Sequence, residues 1–326
     1  MVKKLSLGEI VLRLAIILLV VVLLYSVVRI ADALLNPEEG QNTSTQSKVI
    51  VKDGISYYPR QDIMVMLVAG IDETGPVKNS GTYNNPGEAD MVTLVILDQD
   101  ERKMDLLTLN RDTIVDMPVL GVDGKVAGTY RGQLALAHTY GSGLKDSAEN
   151  LKNTVSNLLY DLHIDYYVTM NMDAIGILND QVGGVAVQVE DDFSAVDATI
   201  GKGYVRLNGQ QAVSFLRSRQ QVGDQLNLTR MKRQEIYMSA FVKELKRNLQ
   251  EKDRFASDSY DKVSPYMVTD LSSSALLGLV QYYSDYDLGE TYRLEGENRV
   301  EEFMEYHLDE QALEKTVLEL FYERIG

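Results

Sequence analysis

The 326-residue sequence contains no cysteine and no tryptophan. Without cysteine there can be no disulfide, no thiolate metal site and no cysteine nucleophile. That absence does not choose a compartment. Histidine is scarce as well. His138, His163 and His307 lie far apart, form no HExxH pair, and read as surface or packed residues rather than metal ligands. A Walker phosphate loop, a GxGxxG fingerprint and a GxSxG elbow are all missing, which removes support for nucleotide hydrolysis and ordinary serine hydrolysis. No solenoid-length repeat recurs. A basic nucleic-acid footprint is lacking too: 32 Lys+Arg stand against 48 Asp+Glu, a net charge of −16, so no nucleic-acid partner is expected. What is present is 45% hydrophobic and 25% charged residues, a globular composition that excludes wholesale disorder.

The charge is unevenly placed. Residues 1–29 hold Lys3, Lys4, Arg13 and Arg29 against Glu9, a net of +3 that leaves −19 for the rest. Within this tip runs Leu14–Val28, interrupted only by Tyr25 and Ser26. With Ile10–Leu12 before it and Ile30–Leu35 after it, the stretch exceeds the ~20 residues that a hydrocarbon core requires. Cations ahead of the span place the N-terminus in the cytoplasm and the body outside. A cleaved signal peptide is the alternative, but no small-x-small site closes the apolar run. The expected organisation is a cytoplasmic tip over 1–9, a transmembrane anchor over 10–35, an extracellular linker over 36–58 that is polar and turn-rich through residue 54, and a catalytic body over 59–326. A single-pass protein of the cell membrane is expected.

In the body, Met64–Ala69, Met91–Leu97 and Met104–Leu109 are short apolar runs that predict buried strands. Asp98–Glu101 would turn the last two into a hairpin. Helical spacing appears over 146–162, 173–182, 209–216 and 229–249, with further strands at 166–170 and 185–189. This order predicts an α/β or α+β sandwich with a central mixed β-sheet flanked by helices.

Charged residues stand just beyond the apolar strands. Asp72 follows the first, Asp90 precedes the second, and Arg111 and Asp112 follow the third. If the first and third run parallel with the second antiparallel between them, all four meet at one sheet edge, where ligands of open sheets bind. Two carboxylates there suit an oxygen-ligated Mg²⁺ completed by phosphate, although an Asp after a strand is also an ordinary turn former. A basic cluster follows: Arg217 and Arg219, then Thr229 as a plausible helix N-cap with Arg230, Arg233 and Gln234 on one face at i, i+3, i+4. Arginines at a helix N-terminus oppose the macrodipole. They face either a bound anion, which Arg forks grip bidentately, or internal acids such as Asp224.

These segments carry a resemblance. LVAGIDE (67–73), ADMVTLVILD (89–98), LLTLNRDTIVDMP (106–118), LALAHTYG (134–141), HIDYYVTMNMDAIGILNDQVGGVAVQV (163–189) and LNGQQAVSFLRSRQQVGDQLNLTRMKRQ (207–234) together resemble the LytR-CpsA-Psr family of bacterial cell-wall phosphotransferases, from about Asp62 to the C-terminus. The resemblance implies Mg²⁺-assisted transfer of a glycopolymer, teichoic acid or capsule, from a polyprenyl-pyrophosphate lipid to a peptidoglycan hydroxyl as a phosphodiester. It implies Asp72 and Asp90 as metal ligands, Arg111 as the essential arginine, and Arg217, Arg219, Arg230, Arg233 and Gln234 at the pyrophosphate. Asp90 or Asp112 would take the acceptor proton. Phe241 and Leu245 line a polyprenyl groove or are simply core. The sequence departs from the family pattern at Glu88, where an arginine usually precedes the second aspartate, at Thr74, at Asn110, where proline is usual, and at Asn227–Thr229. Those departures also leave open a catalytically weak relative that binds lipid-linked or wall polymers as a scaffold or regulator, or a hydrolase of the same lipid.

Overall fold

The structure, a computed structural model, describes residues 48–324 except 122, 219–220, 224–226 and 301. The expected tip, the anchor over 10–35 and most of the linker lie outside the described residues. Among the described residues no helix is long and apolar enough to cross a membrane.

The central element is a six-stranded sheet. Its middle strands are β3 (Ile63–Ile71), β4 (Ala89–Asp98) and β5 (Lys103–Leu109). β4 pairs antiparallel with both β3 and β5, so β3 and β5 point the same way. β8 (Tyr166–Asn171) lies parallel to β3, and β12 (Asp287–Arg293) lies parallel to β5. β11 (Met267–Thr269) closes the edge antiparallel to β8. The mixed sheet expected from the alternation of runs is therefore present, and its direction pattern brings the ends of β3, β5 and β8 and the start of β4 to one edge.

One face of this sheet carries Leu67, Ala69, Val92, Leu94, Leu107 and Leu109. It packs against Leu151 and Val155 of α1 (Lys145–Leu158) and against Val317 and Phe321 of α7 (Glu310–Phe321). Each fully buried Leu here contributes roughly 1.5–3 kcal/mol. At one end of the other face, Met64, Leu97 and half-buried Met66, Val95 and Met104 meet Tyr283, Tyr286 and Leu279 of α6 (Ser273–Tyr282) and its exit. A separate apolar cluster joins β9 (Val185–Val189) and β10 (Gly203–Leu207) to α3 (Gly209–Arg217) and the long α4 (Asn227–Glu251). Helix α2 (Met172–Gln181) is capped by Asn171, and α3 by an Asn208–Gln211 capping box. Gly209 allows α2 and α3 to touch: a Cβ there would sit 2.5 Å from the Gly176 carbonyl oxygen.

Several boundaries differ from expectation. The linker read through 58 already holds β1 (Ile50–Lys52) and β2 (Ile55–Pro59), paired with each other, and β2 also pairs with β15 (Tyr322–Arg324) at the far end of the chain. Strands of three and five residues are too short to show a clear alternation, and the pairing of β2 with β15 had no local trace. α1 stops at Leu158 rather than 162, because Tyr160 and Asp161 adopt left-handed φ of 61° and 60°. α4 begins at Asn227, so Thr229 lies inside the first turn and is not its N-cap. Two β-ribbons stand beyond the site edge: β6 (Ile114–Leu120) with β7 (Val126–Gln133), and β13 (Gly296–Val300) with β14 (Met304–Leu308). α5 (Phe255–Val263) completes the described helices.

Candidate active site

Asp72 leaves β3 with its amide donating to the Glu88 carbonyl oxygen at 2.9 Å. Across from it the ladder slips. Gly70 faces Met91 and Ile71 faces Ala89, so Asp90 is the extra residue of a β-bulge. Bulges re-aim side chains next to functional sites, and this one turns a carboxylate into a 7% exposed position at the sheet edge. After β5, Asn110 takes the place of the proline usual in the resembling family. Its side-chain oxygen accepts from the Asp112 amide at 3.0 Å, and its carbonyl accepts from Thr113 at 3.0 Å. An Asx-type turn thus does what a fixed φ would do. It presents Arg111 beside the bulge.

Arg111 gathers three carboxylates. Its guanidinium contacts Glu88 and Asp90, and its Nε lies 3.5 Å from Asp112 Oδ1. Asp90 is also held by Arg230, Nη1 to Oδ2 at 3.2 Å, with Arg230 only 4% exposed. Arg217 reaches Asp72 at 2.9 and 3.2 Å. Asp72 and Asp90 end neighbouring strands joined by the Asp72–Glu88 backbone bond, so the expected convergence at one edge is present for Asp72, Asp90, Arg111, Asp112, Arg217 and Arg230. Arg219 lies outside the described residues, as does Asp224.

Arg233 and Gln234 are placed differently. Both share the inward face of α4 with Arg230, but they hold the end of α3. Arg233 donates to the carbonyls of Ser218 and Phe215, the latter at 3.4 Å, and Gln234 donates to Leu216 at 3.3 Å. Arg233 also pairs with Asp191 at 2.9 Å and covers the Phe193 ring. The last carbonyls of a helix lack intrahelical donors, and a cation complements that end of the dipole. These two side chains therefore fix the segment from which Arg217 projects. Of the two alternatives for the basic cluster, pairing with internal acids is what the described residues display, through Asp90 and Asp191.

Phe241 and Leu245 are half-buried on α4 against the β9–β10 cluster, Phe241 stacked on Tyr237 at 6.0 Å. Three participants escaped sequence reasoning. Glu88 read as a departure from the family pattern rather than as a partner of Arg111, and Asp191 and Gln133 carried no motif. Gln133 donates to Asp112 Oδ1 at 3.0 Å and to the Met304 carbonyl at 2.7 Å.

The donor set fits a hard divalent cation only with help. Asp72 and Asp90 offer oxygens alone, as Mg²⁺ prefers. Both are engaged by guanidinium groups, and among the described residues no cluster of three His, Asp or Glu could hold a metal. Substrate phosphate oxygens would have to complete the shell.

His138 supports the loop that carries Glu88. Its buried Nδ1 donates to the Gly87 carbonyl at 2.8 Å. Burial pushes the imidazole down to about 4, against the opposing pull of that hydrogen bond and of Asp146. In the unfolded chain it protonates near pH 6.5. The folded state thus refuses a proton that the unfolded state takes. Its contribution is full above pH ~6.5 and is lost as pH falls towards 4, by about 3 kcal/mol. Urea unfolding at pH 7.5 and 4.5 should show that much more acid sensitivity in the parent than in His138→Gln. Equal sensitivity in the two would contradict this account.

The LytR_cpsA_psr family model matches residues 25–321. The chain belongs to the LytR-CpsA-Psr family. Among relatives of this LytR-CpsA-Psr chain, the polyisoprenyl-teichoic acid–peptidoglycan teichoic acid transferase TagV of Bacillus subtilis is 28% identical over 219 residues, 64% of this chain and 52% of that protein. TagU of Halalkalibacterium halodurans, a transferase of the same description, is 30% identical over 162 residues, 49% and 46% of the two chains. The chain spans about half the length of the curated relatives it matches. The structure of TagT bound to LI-WTA superposes with a TM-score of 0.62 at 22% identity, covering 87% of this chain and 96% of that one, which establishes a common fold.

Proposed function

We propose that this LytR-CpsA-Psr protein is a membrane-anchored transferase that moves a wall glycopolymer from a polyprenyl-pyrophosphate carrier to a peptidoglycan hydroxyl, leaving a phosphodiester. The observation that carries this is the meeting of Arg111, Arg217 and Arg230 with Asp72 and Asp90 at one sheet edge. Relatives named as teichoic acid transferases support the polymer and peptidoglycan as partners. The basic tip and apolar run over 10–35 support a single-pass anchor with the body outside the cell.

Displacement at phosphorus requires positioning and charge stabilisation rather than a covalent intermediate. Arg111, Arg217 and Arg230 bind the pyrophosphate by exchanging carboxylate oxygens for phosphate oxygens, which Arg forks accept equally well. Arg233 and Gln234 hold in place the end of α3 that carries Arg217. Mg²⁺ held by Asp72 and Asp90 would neutralise charge on the pyrophosphate oxygens. Asp90 or Asp112 would receive the acceptor proton.

The test is titration of the full chain with farnesyl pyrophosphate, with and without Mg²⁺, followed by transfer of lipid-linked polymer to peptidoglycan. Mg²⁺ is expected to tighten binding at least tenfold, and Asp72→Asn to remove that dependence. No saturable binding would sink the proposal. The Glu88–Arg111 pair favours a second reading, a binding scaffold, because it occupies an arginine that phosphate needs. Tight binding without transfer or phosphate release would select it.

A further inference from the structure

A cavity of about 790 Å³ opens beside Arg111, and none of Arg217, Arg230 and Arg233 lines it. The floor is Glu88, Arg111 and Asp112. One wall is the end of β7, with Tyr130 and Gly132. The other is the turn into β14, with Phe303. Gln133 ties the two walls by donating to both Asp112 and the Met304 carbonyl, so the cleft between the ribbons is preformed.

Two large rings stand open to solvent in this cleft, Tyr130 at 44% and Phe303 at 66% exposure. Tyr130 is seated. Its ring lies over Gly132, where a Cβ would come within 2.5 Å of ring carbon Cε1, and it leans on Tyr140 at 5.7 Å between centroids. Only a glycine at 132 leaves room for that pose. The charges point away from a second anion site. Glu88, Asp112, Glu302 and Glu305 outnumber Arg111 and Arg131, and Arg131 is itself paired with Asp116 at 3.2 Å. A phosphate would be repelled. Exposed aromatic faces flanked by fixed carboxylate and amide acceptors suit a neutral polyhydroxylated ring, whose C–H face stacks on aromatics and whose hydroxyls donate at its edge.

We propose that this cleft is the acceptor-sugar site, taking a neutral pyranose oligosaccharide stacked on Tyr130 and Phe303 with one hydroxyl directed at the Arg111–Asp112 floor. This rests on the transfer reading above. The acceptor oxygen forms a bond to the phosphorus that bears the glycopolymer. The bond from that phosphorus to the bridging oxygen breaks, its electron pair leaves with the lipid monophosphate, and the hydroxyl proton passes to the Asp112 carboxylate. The cationic and acidic halves of the site thus sort the two substrates around Arg111.

The test is calorimetric titration of the purified full chain with chitotetraose, a neutral oligosaccharide, and separately with inorganic pyrophosphate. Saturable chitotetraose binding is expected, weakened at least tenfold by Phe303→Ala and by Tyr130→Ala and retained in Phe303→Tyr. Gly132→Ala should behave like Tyr130→Ala, because the added methyl displaces the ring. Pyrophosphate affinity should stay unchanged in all four variants. The proposal is overturned if the parent shows no saturable saccharide binding, if the Tyr130→Ala/Phe303→Ala double variant binds as the parent does, or if pyrophosphate displaces chitotetraose competitively. Ring-dependent saccharide binding in a chain that ignores pyrophosphate would instead count against the transferase reading and leave the sugar site standing.

Discussion

Asp90→Asn is expected to lower the stability of the folded body by about 3–5 kcal/mol, the cost of leaving a buried ion pair half-made, and to abolish polymer transfer. Asp90 is 7% exposed and sits between Arg111 and Arg230, itself 4% exposed. Removing the carboxylate charge leaves two guanidiniums facing each other in a weakly solvated site. Glu88 and Asp112 stay with Arg111, and Asp90 is a carboxylate that both Arg111 and Arg230 share. For a body of this size the loss corresponds to a drop in Tm of about 10 °C. Stability and chemistry can be separated by removing the partner as well. Asp90→Asn with Arg230→Gln removes one of the two guanidiniums that would face each other, so it should recover part of the lost stability. Transfer should stay absent, because both the bulge carboxylate and an arginine fork are gone. Thermal melts and transfer assays on the two variants check this. A double variant no more stable than Asp90→Asn would show that the Asp90–Arg230 pair is not what holds the edge together.

Four strands of the central sheet, β3, β4, β5 and β8, were legible because each is a short apolar run; β11 and β12 were not, since β11 has three residues and β12 reads DLGETYR. Helices α1 to α4 were legible through their spacing. The convergence of Asp72, Asp90, Arg111 and Asp112 followed from strand directions alone, once β4 was taken as antiparallel between β3 and β5. What sequence could not carry was partner choice. Nothing in the pattern around Glu88 says that its side chain reaches Arg111, 23 residues away, and nothing marks the β4 bulge that aims Asp90. Arg233 and Gln234 shared a face with Arg230 as the spacing required, yet a helical face does not say whether it meets a ligand or the carbonyl end of a neighbouring helix. The ribbons β6–β7 and β13–β14 were invisible for a related reason. Their outer strands β7 and β13 are exposed, as in Tyr130, Arg131, Glu297 and Arg299, and an exposed strand lacks the half-buried alternation that identifies it, so the partly buried β6 and β14 had no visible partner to pair with.

Arg111→Ala is expected to reduce transfer by about 10²–10³-fold, the loss typical of removing one preorganised charge donor from a transition state. Arg111→Lys should restore little of it. A guanidinium presents five donors in a rigid plane, which lets Arg111 span Glu88, Asp90 and Asp112 from one position. A lysine ammonium is a compact point charge on a flexible stem and cannot bridge acids on a strand, the loop before it and a turn. The same geometry explains why the residue stands between the two proposed substrates: one edge of its plane faces the Asp90–Arg230 side and another lines the cleft of Tyr130 and Phe303. Glu88→Gln provides the opposite case. It removes a half-exposed carboxylate competing for that plane, so it should tighten farnesyl pyrophosphate binding severalfold while leaving the buried Asp90 pair in place. Single-turnover transfer rates and pyrophosphate affinities of the three variants decide the matter. Parent-like transfer by Arg111→Lys would mean that charge alone suffices at this position, and the fork would lose its assigned part.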